Sequence, residues 1–383
     1  MKRAVVVAAL FVVACGDNKA PETPDHNPDR GQYNVWEEIE LPGTVCGNDS
    51  QYKFWVNYSQ TSDNLAVVFE PGGACWDYPS CSGATGVRGA ANPDGLTDDH
   101  YTFGILTSPF LNRDMAESPT QDWNLVYLPY CTGDVYAGNV VADYTDDTGA
   151  NPPLEWHHEG HNDTMAAIAY LDREFNHIPK MLVTGCSAGG VGSLVNYHFL
   201  RQGMHAVQEG YLLDDSGPIF PSPGFSDLMH DKIRSAWNLD SLTSQFPSGF
   251  TLDNMGTINT ALADTYPNDR LATTFFERDY NFSLYSYDRF YGDPTKDMVM
   301  QMWASDTASL VSEYDARPNL YYYLPYWRDI NDSHCTTLIE FDGSEIQDHD
   351  MTLTQWASDL VNDQPLQSME EAPVPGEDPP GDY

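Results

Sequence analysis

The stretch that most constrains what this chain can fold into is Val183-Thr184-Gly185-Cys186-Ser187-Ala188-Gly189-Gly190. An apolar run at 181–183 leads straight into Gly-x-Ser-x-Gly, and a helix-compatible stretch at 191–200 follows. Strand, sharp turn and helix in that order is the layout of a nucleophile elbow, where a serine sits at the tip of a strained turn with its hydroxyl free. Small residues at Gly185, Gly189 and Gly190 let the strand and the helix pass close to each other. The pentapeptide alone also arises by chance in glycine-rich loops. Its meaning depends on whether the rest of the chain supplies a base, an acid and a site for an oxyanion.

The pattern around it is that of alternating strands and helices. Residues 33–41 and 52–58 alternate loosely and read as an early hairpin. The apolar run 64–69 reads as a strand buried on both faces, and it empties into Glu70-Pro71-Gly72-Gly73-Ala74-Cys75-Trp76. A glycine pair just after a central strand presents backbone N–H groups with no Cβ in the way. In a hydrolase of this layout that loop forms one arm of an oxyanion hole, and the residue after the nucleophile forms the other. Residues 82–121 read as a long loop over the active face, 123–130 as a buried strand, and 162–175 as a helix. Residues 210–217 read as strand then turn, 221–267 as an inserted helical cap, and 271–276 as a strand. Beyond them, 296–314 is helical, 319–323 is the last good strand, and 352–360 is a closing helix. The fold class is α/β: an α/β-hydrolase-like, mostly parallel central sheet flanked by helices, with long loops and a helical cap insertion. Ligands of such sheets sit beyond the carboxyl ends of the strands.

A serine nucleophile needs a base, and the α/β-hydrolase chain order is serine, acid, histidine. Of eleven histidines, His26 and His100 precede Ser187, while His198, His205 and His230 fall in or near helices close to it in sequence. His334 follows the last strand at a loop-like spacing and is the expected base, with His349 as the fallback. Asp279 follows the penultimate strand, where the orienting carboxylate normally lies; Asp214 and Asp215, after the strand before it, are the alternatives. Trp156-His157-His158-Glu159-Gly160-His161 is one residue short of the zincin spacing His-Glu-x-x-His. It is expected to be a loop packing against the next helix, and neither metal nor cofactor is expected.

The ends carry separate signals. Met1-Lys2-Arg3, an apolar run at 4–13 and Ala14-Cys15-Gly16 read as a secretory leader. Val12-Val13-Ala14-Cys15 has the form of a bacterial lipobox. The expectation is a lipoprotein signal peptide over 1–14, lipidation of Cys15 and a flexible tether over 15–31, with the membrane met only through that lipid. The protein would then be exported, either anchored in the bacterial cell envelope or secreted. Residues 32–361 form the folded domain, and 362–383, rich in proline and acid, are expected to be disordered. With 18 Lys and Arg against 57 Asp and Glu, the formal net charge of −39 argues against nucleic acid as a partner and against steering of polyanions. A monomer is expected. Setting Cys15 aside, six cysteines remain in an exported chain, an even number that points to disulfides.

Four of these stretches resemble the pectinacetylesterase family. They are Glu70-Pro71-Gly72-Gly73-Ala74-Cys75-Trp76, Tyr130-Cys131-Thr132-Gly133-Asp134-Val135, Gly185-Cys186-Ser187-Ala188-Gly189-Gly190 and Asp215-Ser216-Gly217. Thr44-Val45-Cys46 and Ser333-His334 add weaker matches. The resemblance implies a serine esterase with Ser187 as nucleophile, Asp279 as acid and His334 as base, and oxyanion donors from the backbone N–H of Gly73, Ala74 and Ala188. It implies disulfides Cys75–Cys81 and Cys46–Cys131, leaving Cys186 and Cys335 unpaired, and it places Asp215 in a structural turn. Pro71 and Ala74 depart from the family's glycine and tryptophan, and the family block around the acid is poorly matched. The expected activity is hydrolysis of O-acyl esters, foremost O-acetyl, on a carbohydrate. The rivals are a non-catalytic glycan-binding lipoprotein and an esterase for longer acyl chains.

Overall fold

The computed structural model describes residues 32–84 and 89–373. The expected leader, the lipidation site Cys15 and the tether lie outside the described residues. A hairpin of β1 (Trp36–Val45) and β2 (Gln51–Asn57) opens the chain. The fully buried β3 (Leu65–Phe69) follows, then two short helices, α1 (Tyr78–Cys81) and α2 (Tyr101–Thr107). Next come β4 (Asn124–Leu128) and a small antiparallel pair, β5 (Val140–Tyr144) and β6 (Leu154–His158). Helix α3 (Gly160–Glu174), β7 (Ile178–Cys186) and α4 (Ala188–Gly203) form the central crossover, and β8 (Val207–Asp215) follows. The chain ends with α5 (Asp227–Ala236), α6 (Thr257–Thr265), β9 (Arg270–Thr274), α7 (Tyr280–Tyr287), α8 (Lys296–Asp315), β10 (Leu320–Leu324), α9 (Leu353–Val361) and β11 (Met369–Glu370).

Nine strands form one sheet in the order β1-β2-β4-β3-β7-β8-β9-β10-β11. Only β1 with β2 and β2 with β4 run antiparallel; every pair from β4 to β11 is parallel. Apolar side chains alternate to the two faces, and each face carries its own core. The register matters for the site. Phe69 pairs with Gly185, Cys186 with Asp215, and Asp215 with Thr274, so the ends of β3, β7, β8 and β9 finish side by side at one edge.

Two expectations need correction. Residues 154–158 form strand β6, ending at His158, where a loop was expected. The Trp156 ring is buried beside the Cys75–Cys81 disulfide, and that contact fixes the strand. The segment after 361 was expected to be disordered. Up to residue 373 it is built into the fold: β11 pairs with β10, and Leu366 and Met369 pack on the second core. The composition of the whole tail hid these few anchoring residues. No helix among the described residues is long and apolar enough to cross a membrane.

Candidate active site

The elbow is built as its glycines require. Ser187, between β7 and α4, sits at φ 57° and ψ −121°, a conformation that costs a non-glycine residue free energy and persists only where its surroundings hold it. Its N–H donates to Asp215 O at 2.8 Å. A Cβ on Gly189 would strike Phe69 O on the neighbouring strand, so glycine is the residue that fits there. Ala188 opens α4, and the first N–H groups of a helix have no acceptor within it. Gly73 (φ 49°), Ala74 and Ala188 line the same cavity as Ser187 and His334.

Asp279 is fully buried and has two tasks. Its Oδ1 caps α7, accepting from Asn281 N at 3.0 Å and Phe282 N at 2.8 Å. Its Oδ2 accepts from His334 Nδ1 at 2.7 Å. With the proton on Nδ1, Nε2 of His334 is the basic nitrogen. Burial pulls the His334 pKa down, but the Asp279 carboxylate, helped by Asp215 and Asp332, more than offsets it and the net direction is up.

The loop that carries His334 is strained: Asn331, Asp332, Ser333 and Cys335 all have positive φ. Several ties hold it. Asp215 Oδ1 accepts from Thr336 N at 2.8 Å and Oδ2 from Thr337 N at 2.8 Å, while both threonine hydroxyls also donate to it. Ser216 Oγ accepts from Cys335 N at 3.0 Å. Asp215 is thus committed to the loop that carries His334. Asp214 accepts from Gly217 N at 3.1 Å and is pushed up to about 8 by burial and the neighbouring Asp215. Neither stands beside a histidine ring as Asp279 does. His349 is half exposed and faces Asp348.

The disulfides Cys46–Cys131 and Cys75–Cys81 are present. A third, Cys186–Cys335, corrects the expectation that these two are unpaired. The residue before Ser187 and the residue after His334 are 149 apart in sequence. Only the tertiary meeting of the elbow and the base loop brings them within bonding reach. Beyond it, the two clusters of possible metal ligands among the described residues, Cys75, Cys81 and His158, and Cys186, His334 and Cys335, each contain one disulfide pair. His158 is occupied by Thr132 O and Tyr144 OH, and His161 packs edge-on against Phe199.

The loop at 71–75, which carries Gly73 and Ala74, has its own support. The buried Glu70 carboxylate accepts from Tyr130 N at 2.8 Å, Asn92 Nδ2 at 3.1 Å and His100 Nε2 at 2.9 Å. Trp237 Nε1 donates to Cys75 O at 2.8 Å, so the segment between β8 and β9 grips this loop directly. Above Ser187 lies a cavity of about 410 Å³, walled by Met229, Ile233, Trp237, Met255 and Phe282 among others. His230 of α5 also lines it; burial lowers its pKa to about 4, leaving the ring neutral at pH 7, and its Nδ1 has no hydrogen-bond partner among the described residues. His230, set aside as a base because it lies in a helix close to Ser187 in sequence, and Trp237 reach the cavity only through the fold of the segment after β8. The amphipathic run 227–237 was the available signal.

A family model described as Pectinacetylesterase matches residues 29–276, more than half of the chain. The chain belongs to the pectinacetylesterase family. The family match stops at Phe276, short of both Asp279 and His334. Among curated relatives, Pectin acetylesterase 4 of Arabidopsis thaliana is 25% identical over 203 residues, 50% of this chain and 46% of that one. Palmitoleoyl-protein carboxylesterase Notum of Schmidtea mediterranea is 22% identical over 177 residues, 45% of this chain and 32% of that one. This family member thus spans about half the length or less of these relatives. Among solved structures, the Wnt deacylase Notum from Drosophila aligns with a TM-score of 0.59 and 19% identity, covering 88% of this chain and 96% of that one. That likeness establishes a shared fold.

Proposed function

We propose that this pectinacetylesterase-family protein is a serine carboxylesterase that hydrolyses O-acyl esters, foremost O-acetyl esters on a carbohydrate, through an acyl-enzyme. The observation that carries the reading is the pairing of His334 Nδ1 with the buried Asp279 at 2.7 Å, in a cavity that also holds the strained Ser187. In this scheme His334 Nε2 takes the Ser187 proton as Oγ attacks the ester carbonyl. The N–H groups of Gly73, Ala74 and Ala188 receive the oxyanion, and the imidazolium returns the proton to the leaving alcohol. Water, activated by the same nitrogen, then releases the acid. Asp279 holds the tautomer that this requires and stabilises the imidazolium as it forms.

The test is hydrolysis of p-nitrophenyl acetate by the wild type and by Ser187→Ala. The variant should lose at least about a thousandfold in kcat/KM while keeping its melting temperature, and a serine-reactive phosphonate should label Ser187 alone. A variant with full activity would sink the mechanism. Absence of phosphonate labelling would favour a glycan-binding protein without catalysis. A second reading, an esterase for longer acyl chains, is favoured by the volume and apolar walls of the cavity, which exceed the needs of an acetyl group. A panel of p-nitrophenyl esters from acetate to palmitate decides between the two by where kcat/KM peaks.

A further inference from the structure

We propose that the natural substrate is an ester borne on an electrically neutral sugar chain, and that a uronate polymer carrying the same acyl group is a poor substrate. The inference rests on the esterase reading above and goes beyond it in fixing the charge of the alcohol part.

Three observations carry it. First, among the described residues that line the cavity there is no lysine or arginine, and the one charged side chain outside the His334 pair, Asp332, is an exposed carboxylate beside the base. The carboxylate of a uronate bound with its ester at Ser187 would share the cavity with Asp332 and find no lysine or arginine among the described lining residues. Like charges at that range oppose binding, and a low-dielectric wall strengthens the opposition. Second, the histidine that the cavity does present, His230, has a pKa lowered to about 4 by burial. It therefore offers a hydrogen bond and not a positive charge at neutral pH. Third, seven of the thirteen described lysines and arginines are paired with acid. Lys53, Lys180, Arg201, Arg234, Arg289, Arg317 and Arg328 each stand beside at least one carboxylate. With a net charge of −39, the approach of a polyanion is opposed well before contact.

The range of that opposition gives the test its sign. The screening length falls from about 30 Å at 0.01 M salt to about 3 Å at 1 M, so salt should relieve a penalty on an anionic substrate and leave a neutral one untouched. Acetate release is measured from acetylated xylo-oligosaccharides and acetylated glucomannan, both neutral, and from acetylated oligogalacturonates of similar length. The same protein is assayed in parallel on p-nitrophenyl acetate, at low and high NaCl. At low salt kcat/KM should be at least about tenfold higher on the better neutral glycan than on the oligogalacturonate, and that ratio should shrink at least about threefold at high salt. Asp332→Asn, which removes the carboxylate and keeps a residue tolerant of positive φ, should shrink the ratio in the same direction at low salt.

Comparable, salt-independent rates on the two glycan classes would overturn the inference, as would faster release from the oligogalacturonate. Turnover of p-nitrophenyl acetate with no release from either neutral glycan would overturn it as well, and in each of these cases the esterase reading stands. Failure to turn over p-nitrophenyl acetate would remove the esterase reading and this inference together.

Discussion

At the scale of single residues, Asp279 does the most with one side chain. It caps α7 with one oxygen and holds His334 with the other. Asp279→Asn separates these tasks, because the amide oxygen can still cap the helix while the amide nitrogen opposes a protonated Nδ1. The helix should stay, and activity should fall on the order of a thousand- to ten-thousandfold through the wrong tautomer. The sign of the pH effect follows from charge. The carboxylate raises the His334 pKa, so the wild-type base becomes competent only as pH climbs through that raised value. Without the carboxylate the acidic limb of the residual activity should move to lower pH. An unmoved limb in a pH–kcat/KM profile would show that His334 is not the titrating base.

The elements explain how residues so far apart in sequence meet. Strands β7, β8 and β9 end in register, and each hands its final residues to the site: Ser187 after β7, Asp215 and Ser216 at the end of β8, and Asp279 after β9. His334 comes from a loop without regular structure, and the Cys186–Cys335 bond ties that loop to the end of β7, just before Ser187. A Cys186→Ser, Cys335→Ser double variant should keep its far-ultraviolet circular dichroism and lose on the order of ten- to a hundredfold in kcat, with a smaller change in KM. Loss of folding on removing this pair would make the bond a requirement of the sheet, and unchanged kcat would show that Asp215 and Ser216 hold the base loop alone. The central strands, the elbow and the longer helices were legible because periodicity and glycine spacing are local properties. The pairing of Cys186 with Cys335 was not, since it depends on where an irregular loop lands across 149 residues. Strand β6 was hidden for a related reason: histidines and a glycine nearby read as loop, and only the burial of Trp156 beside a disulfide makes it a strand. His230 and Trp237 belong to the same class, their roles being set by how the segment between β8 and β9 folds back over the strand ends.

For the molecule as a whole, the C-terminal segment proves to be structural. The Glu371 side chain is fully buried, accepting from Arg328 Nη2 at 2.8 Å, Gln347 N at 2.9 Å and Tyr326 N at 2.6 Å. Arg328 in turn bonds Ser333 through its backbone, one residue before the base. Glu371→Ala should cost about 3–5 kcal/mol, because it leaves a buried guanidinium without its counter-charge. Chemical denaturation reads this directly, and a loss below about 1 kcal/mol would show that the pair is solvated in solution. The same seam bears on how the protein comes into being. Synthesis runs from the N-terminus, so strand β7 and the loop at 71–75 are made while residues 279, 334 and 371 are still to come. Asp279, His334 and the Glu371 carboxylate, which buttresses the His334 loop, arrive in that order. A chain that stops before Asp279 therefore carries the Ser187 elbow without the acid and the base proposed for it.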